Sequence, residues 1–146
     1  MIALAFVLLS LRLAPTTNEA ELRNRFALGQ AAEDAGATMQ EARWLSAISF
    51  RESTYRMGAV GKLGEVCAMQ IHLPGATRAH DGSTRAEVAA SPALCMREGL
   101  YQFRASAAAC PSFPLAIYSA GPKGCTMAKA QRISRDRERL AKSGKL

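Results

Sequence analysis

Thr38-Met39-Gln40-Glu41-Ala42-Arg43-Trp44-Leu45-Ser46-Ala47-Ile48-Ser49-Phe50-Arg51-Glu52-Ser53 is the stretch that decides the fold. It opens with a capping box, a threonine whose hydroxyl can accept from the amide three residues on, with Glu41 reaching back. Leu45, Ile48 and Glu52 then fall at i, i+3 and i+7, on one face of the helix predicted over about 39–52. A glutamate ending an apolar stripe is unusual. Burial and the negative end of the helix dipole both disfavour its charged form, which suits a general acid working near neutral pH. The ordinary alternative is an end-of-helix glutamate paired with Arg51 or Arg56.

The same punctuation recurs along the chain. Asn18 with Glu21 and Thr84 with Glu87 repeat the cap-plus-glutamate pattern, and Ser91 precedes Pro92 at a first helical position. Helices are expected at about 19–35, 39–52, 85–90, 92–109, 113–119 and 126–142. Within 92–109, Met96, Leu100, Phe103 and Ala107 form one apolar stripe. On the last helix Met127, Ala130, Ile133 and Leu140 mark a packing face, and the arginines between them a solvated one. Residues 54–83 carry Gly58, Gly61, Gly64, Gly75, Gly82 and Pro74, the composition of a loop or a small hairpin. The fold class is therefore mainly α, with a Gly-rich insertion between helices.

The 146 residues suffice for one apolar core, and 49% hydrophobic with 21% charged residues excludes disorder. A net charge of +7 favours polyanionic partners: nucleic acid, anionic headgroups or the carboxylate-rich bacterial wall. No aromatic residues interleave the C-terminal arginines, so no nucleic acid is expected. Met1 to Ala14 are almost wholly apolar but too short to span a bilayer, which needs about 20 residues. This segment is set apart from a domain at 15–146 as a signal-like or membrane-contacting piece, although it lacks a basic start and a clean cleavage site. A core helix is the other reading.

Cys67, Cys95, Cys110 and Cys125 are even in number, without a C-x-x-C, so two disulfides in an exported protein are expected and no metal or other cofactor. A helix over 92–109 holds positions 95 and 110 roughly 20 Å apart, beyond the roughly 4–7 Å between Cα atoms that a bridge spans. Two pairings remain: 67–95 with 110–125, which is preferred, and 67–110 with 95–125.

Three runs carry chemistry: Arg51-Glu52-Ser53; Gly61-Lys62-Leu63-Gly64-Glu65-Val66-Cys67-Ala68-Met69-Gln70-Ile71; and Ala116-Ile117-Tyr118-Ser119-Ala120-Gly121. In this order they resemble the lytic transglycosylases of the soluble (SLT) family and the related goose-type lysozymes, over about residues 39 to 125. The resemblance implies a lysozyme-like α+β fold and cleavage of the MurNAc–GlcNAc bond of peptidoglycan by a monomer with Glu52 as the one catalytic acid. It implies that Ser53, Met69, Gln70, Ile71, Tyr118 and Ser119 line the glycan groove. Gln70 would supply hydrogen bonds, Met69 an apolar floor, and Tyr118 a hydroxyl directed at Glu52. Cys67 stands where the family has glycine, and Ser119 where it has asparagine. Goose-type lysozymes carry an aspartate after the Met-Gln-hydrophobic trio; here it is His72, with Glu65 the nearest other carboxylate in the loop. Without a committed base, formation of a 1,6-anhydro product is favoured over hydrolysis. The rivals are a hydrolytic muramidase, a silent glycan-binding module, and a basic protein of nucleic-acid or membrane surfaces. The expected location is the periplasm, cell envelope, extracellular space or a phage particle.

Overall fold

Each predicted cap forms. Asn18, Thr38, Thr84 and Ser91 accept from amides three residues on, and both threonines complete reciprocal capping boxes with Glu41 and Glu87. In the computed structural model, which describes residues 1–143, these caps start α2 (Glu19–Asp34), α3 (Met39–Ser53), α4 (Arg85–Ala90) and α5 (Pro92–Ala109). They are preceded by α1 (Ile2–Leu13) and followed by α6 (Ala116–Ala120), a short 3₁₀ turn (Gly124–Thr126) and α7 (Ala128–Ser143). The chain is mainly helical. Among the described residues there is no strand, and residues 54–84 hold only two isolated antiparallel bridges, Val60 with Val66 and Val66 with Ile71. The helix expected from 113 starts later, because Phe113 and Ala116 donate to Cys110 and Phe113 carbonyls in successive turns first.

The segment 1–14 is packed against α2 and α3. Phe6, Val7 and Leu9 of α1 are buried, and Phe6 meets Tyr55 edge-on at 6.0 Å. Gly29 permits this approach: a Cβ there would lie 2.8 Å from the Ala3 carbonyl oxygen. Arg25, itself buried, donates from Nη1 to the Ser10 carbonyl at 3.0 Å and to that of Ala14, satisfying the end of α1. No described helix is long and apolar enough to cross a membrane.

α3 runs through the centre. Leu45 and Ile48 are fully buried, as are Met96 and, nearly so, Leu100 and Phe103 from α5; Ala107 is only partly covered. Trp44 packs on Phe103 with ring centroids 5.3 Å apart. Each such aliphatic side chain contributes about 1.5–3 kcal/mol through burial. The bridges are Cys67–Cys95 and Cys110–Cys125, the preferred pairing, and such bonds persist in oxidising compartments. The first ties the loop to α5, the second ties the end of α5 to the 3₁₀ turn.

α7 packs differently from expectation. Ala130, Ser134 and Ala141 are buried, with Arg137 on the same stripe, while Ile133 and Leu140 are half-buried and Met127 is exposed. Small residues bring α7 close, and Arg137 reaches inward between them.

Candidate active site

The last turn of α3 presents Arg51, Glu52 and Ser53, then the backbone turns sharply away: Thr54 and Tyr55 both have positive φ, 51° and 64°. Such a geometry in a β-branched residue and an aromatic is uncommon and needs surroundings that hold it. Asn24 supplies one hold, donating to the Tyr55 carbonyl at 2.6 Å. The buried Tyr55 hydroxyl lies 3.2 Å from Ser46 Oγ. Burial pushes that phenol up to about 12, against smaller opposing effects of Ser46 and Arg25.

Facing this turn is a second one, 66–71. Val66 and Ile71 exchange both backbone hydrogen bonds, at 3.1 and 2.9 Å, and Cys67 and Gln70 adopt positive φ. Ser53 joins the two turns: its hydroxyl, buried, donates to the Ala68 carbonyl at 2.8 Å and accepts from the Arg56 amide at 3.1 Å. Tyr118 of α6 joins the third run, donating from its hydroxyl to the Met69 carbonyl at 2.8 Å. Its own amide donates to Ser106 of α5. Burial, then the charges of Glu52 and Glu98, push the Tyr118 phenol well above its ordinary value, so it stays protonated.

Several expected roles change. Met69 and Ile71 are fully buried and belong to the core, not to a groove floor. Met69 packs on Gly99, where a Cβ would lie 2.8 Å from its Cε, and its sulfur accepts from Ser49 Oγ at 3.2 Å. Alternation around the turn leaves Gln70 as the residue at the surface. Its Nε2 donates to the Ala59 and Cys67 carbonyls at 3.1 and 3.0 Å, and its Oε1 has no donor among the described residues. Ser53 is a staple between turns, buried away from any groove. The Tyr118 hydroxyl is committed to Met69 and not to Glu52. Ser119 is exposed, with its hydroxyl on the Ala116 carbonyl. His72 is exposed, and Glu65 folds back to accept from the Leu63 amide at 2.9 Å.

Glu52 has a more polar setting than its stripe predicts. Its side chain is 29% exposed, and its Oε1 accepts from Arg137 Nη2 at 3.0 Å. Arg137 also donates to Asp136, which pairs with Arg51 through two 3.0 Å bonds and with Arg139. Burial raises the Asp136 carboxyl, but the hydrogen bonds from Arg51 and Arg139 and the charges of Arg51 and Arg137 hold it below its ordinary range. Arg137 Nε is buried without a partner among the described residues.

Arg137 was not among the predicted site residues, nor was Glu98. Glu98 is buried, accepting from the His80 amide at 2.9 Å, His80 Nδ1 at 2.5 Å and Gln102 at 2.9 Å. His80 stacks on exposed Tyr101, centroids 4.1 Å apart. The available signals were a charge within the small-residue stripe 130, 134, 137, 141, and a charge beside the mid-helix Gly99.

A cleft of about 330 Å³ lies beyond Thr54 and Tyr55, lined with Glu21, Asn24, Arg25 and Arg56. It does not include Glu52, Gln70 or Tyr118. Comparison of the chain with family models, with curated proteins and with solved structures finds no match.

Proposed function

We propose that this chain is a lysozyme-like enzyme that cleaves the MurNAc–GlcNAc β-1,4 bond of peptidoglycan in the manner of a lytic transglycosylase, with Glu52 as acid and then base. One observation carries the reading. Three runs far apart in the chain are tied into one constellation, Ser53 to Ala68 at 2.8 Å and Tyr118 to Met69 at 2.8 Å, with Glu52 next to Ser53 in the last turn of α3.

In this mechanism the Glu52 carboxylic acid gives its proton to the glycosidic oxygen as the C1–O bond breaks. Arg137, 3.0 Å from Oε1, stabilises the carboxylate so formed, and Oε2 accepts from no group among the described residues. The carboxylate then takes the proton of the MurNAc C6 hydroxyl, whose oxygen closes on C1. The products are a 1,6-anhydro end and a free GlcNAc hydroxyl, with no water consumed. Glu65 is tied to its own loop and His72 faces solvent, which favours this route over hydrolysis. Gln70 Oε1 is the free acceptor for sugar hydroxyls or N-acetyl groups. The enzyme would act as a monomer, in the periplasm, envelope, extracellular space or a phage particle.

The Glu52–Arg137 pair favours a second reading, a glycan-binding module without turnover. Both are tested by incubating purified sacculi with the protein and analysing released muropeptides by mass spectrometry. Anhydro ends are expected, with Glu52→Gln reducing their yield by about 10²- to 10⁴-fold. Reducing ends would assign hydrolysis. Binding to sacculi with no released fragments, unchanged in Glu52→Gln, would assign the silent module.

A further inference from the structure

We infer that the outer face of α1, together with the start of α3, docks on an anionic lipid bilayer. Apart from Ser10 and Arg12, α1 is apolar, and α2 and α3 cover one side of it. Leu4 and Leu8 remain 51% and 47% exposed one turn apart, with Met1 before them and Arg12 one turn after. Met39 stands beside them from the start of α3, and Arg43 one turn further on. These six residues border a shallow concavity of about 220 Å³ that no carboxylate lines.

The charges on this face choose the partner. Arg23, Arg51, Arg97, Arg104 and Arg137 each meet a carboxylate within 3.2 Å. Among the described residues Arg12 and Arg43 meet none; the contact of Arg43 is the Met39 sulfur, at 3.9 Å. The Met1 amine is 3.5 Å from Glu33, which leaves the two guanidiniums as the uncompensated charges of the patch. Exposed aliphatic side chains flanked by unpaired arginines match the acyl boundary and the phosphates of an anionic leaflet. A second copy of the chain fits worse, since a two-fold contact would bring Arg12 and Arg43 toward their own symmetry mates in a protein of charge +7. With 12 residues, α1 is about 18 Å long and cannot span about 30 Å of hydrocarbon. It lies on the membrane and does not cross it.

Co-sedimentation with vesicles tests this, using the chain from Met1 with phosphatidylcholine alone or with one third phosphatidylglycerol. Binding is expected only with the anionic lipid, falling steeply with salt. Leu4→Gln/Leu8→Gln should abolish it. Arg12→Gln and Arg43→Gln should each weaken it about fivefold. Circular dichroism and the thermal midpoint check that each variant folds. Lys129→Gln/Arg132→Gln, which removes more charge than either arginine variant but from the exposed side of α7, should leave binding nearly intact. An equal loss in that control, no binding at all, or a wild-type dimer that Leu4→Gln/Leu8→Gln dissociates in sedimentation equilibrium would each overturn the inference.

Discussion

The two ends of α3 are built by opposite means. At its start, Thr38 and Glu41 close a capping box within four residues, and Arg104 of α5 adds bonds of 2.7 and 2.9 Å to the Glu41 carboxylate. The backbone there is ordinary and the cap itself is local, with Arg104 its one long-range tie among the described residues. At its finish, Thr54 and Tyr55 sit at positive φ, and to the local bonds of Ser53, Thr54 and Tyr55 onto Ser49 and Phe50 are added three ties from distant segments: Asn24, Ala68 and Arg137. The start is an end of a helix; the finish is a junction. Strain held by distant partners is a common property of functional sites, and Glu52, the acid of the proposed mechanism, lies at the finish.

The sharpest way to break the comparison is to cut a distant tie. The Cys67–Cys95 bridge closes a separation of 28 residues and pins the 66–71 turn to α5; Cys110–Cys125 closes 15. Chain-entropy arguments give both a cost of about 3 kcal/mol on removal. Urea unfolding of Cys67→Ser/Cys95→Ser and Cys110→Ser/Cys125→Ser should therefore show similar losses. Only the first pair should also depress muropeptide release well beyond its unfolded fraction. Equal effects on release would mean that the turn is held well enough without its bridge.

A smaller and cleaner contrast uses one hydroxyl at each end. Ser53→Ala leaves the Ala68 carbonyl and the Arg56 amide without their buried partner, a loss of about 1–3 kcal/mol. Thr38→Ala removes an exposed cap, about 1 kcal/mol. Release from sacculi should fall with Ser53→Ala and stay at the wild-type level with Thr38→Ala, both assayed below their thermal midpoints. Loss in both would make α3 a uniform strut with no privileged end.

The same contrast explains what could be read from the chain. Caps and the Ser91-Pro92 start were legible because each depends on contacts within a few residues; the rigidity of one helix removed a Cys95–Cys110 bridge but left two pairings, of which the preferred one forms. The constellation of the three runs was anticipated, but the roles within it were not. Stripe spacing places Glu52 on a face without saying what lies opposite, and Arg137 stands 85 positions away. Met69 was expected in a groove on the strength of the family resemblance alone; here, with Cys67 and Gln70 at positive φ, Met69 is buried and Gln70 is left at the surface. Glu98, 18 positions from its partner His80, carried no local mark beyond Gly99.

The least intrusive probe is pH, because one depressed carboxyl lies at each end of α3, Glu41 on the helix itself and Asp136 of α7 against Arg51. At the start, the hydrogen bond from Arg104 outweighs burial and holds Glu41 below its ordinary value. At the finish, Asp136 is likewise depressed by Arg51 and Arg139 despite burial. A carboxyl with a lowered folded-state pKa contributes stability that is fully present above its unfolded value, near 4, and is lost as pH falls through the lower folded value. The urea midpoint should therefore drop as pH falls below about 4. Glu41→Gln, which can keep the backward contact of the capping box, and Asp136→Asn should each flatten that drop. The 15 residues of α3 set the two clusters about 20 Å apart, so their effects should add in the double variant. Marked non-additivity would show that Arg104 and Arg51 act on one cooperative unit, and the distinction between a local start and a long-range finish would then fail at the level of energetics.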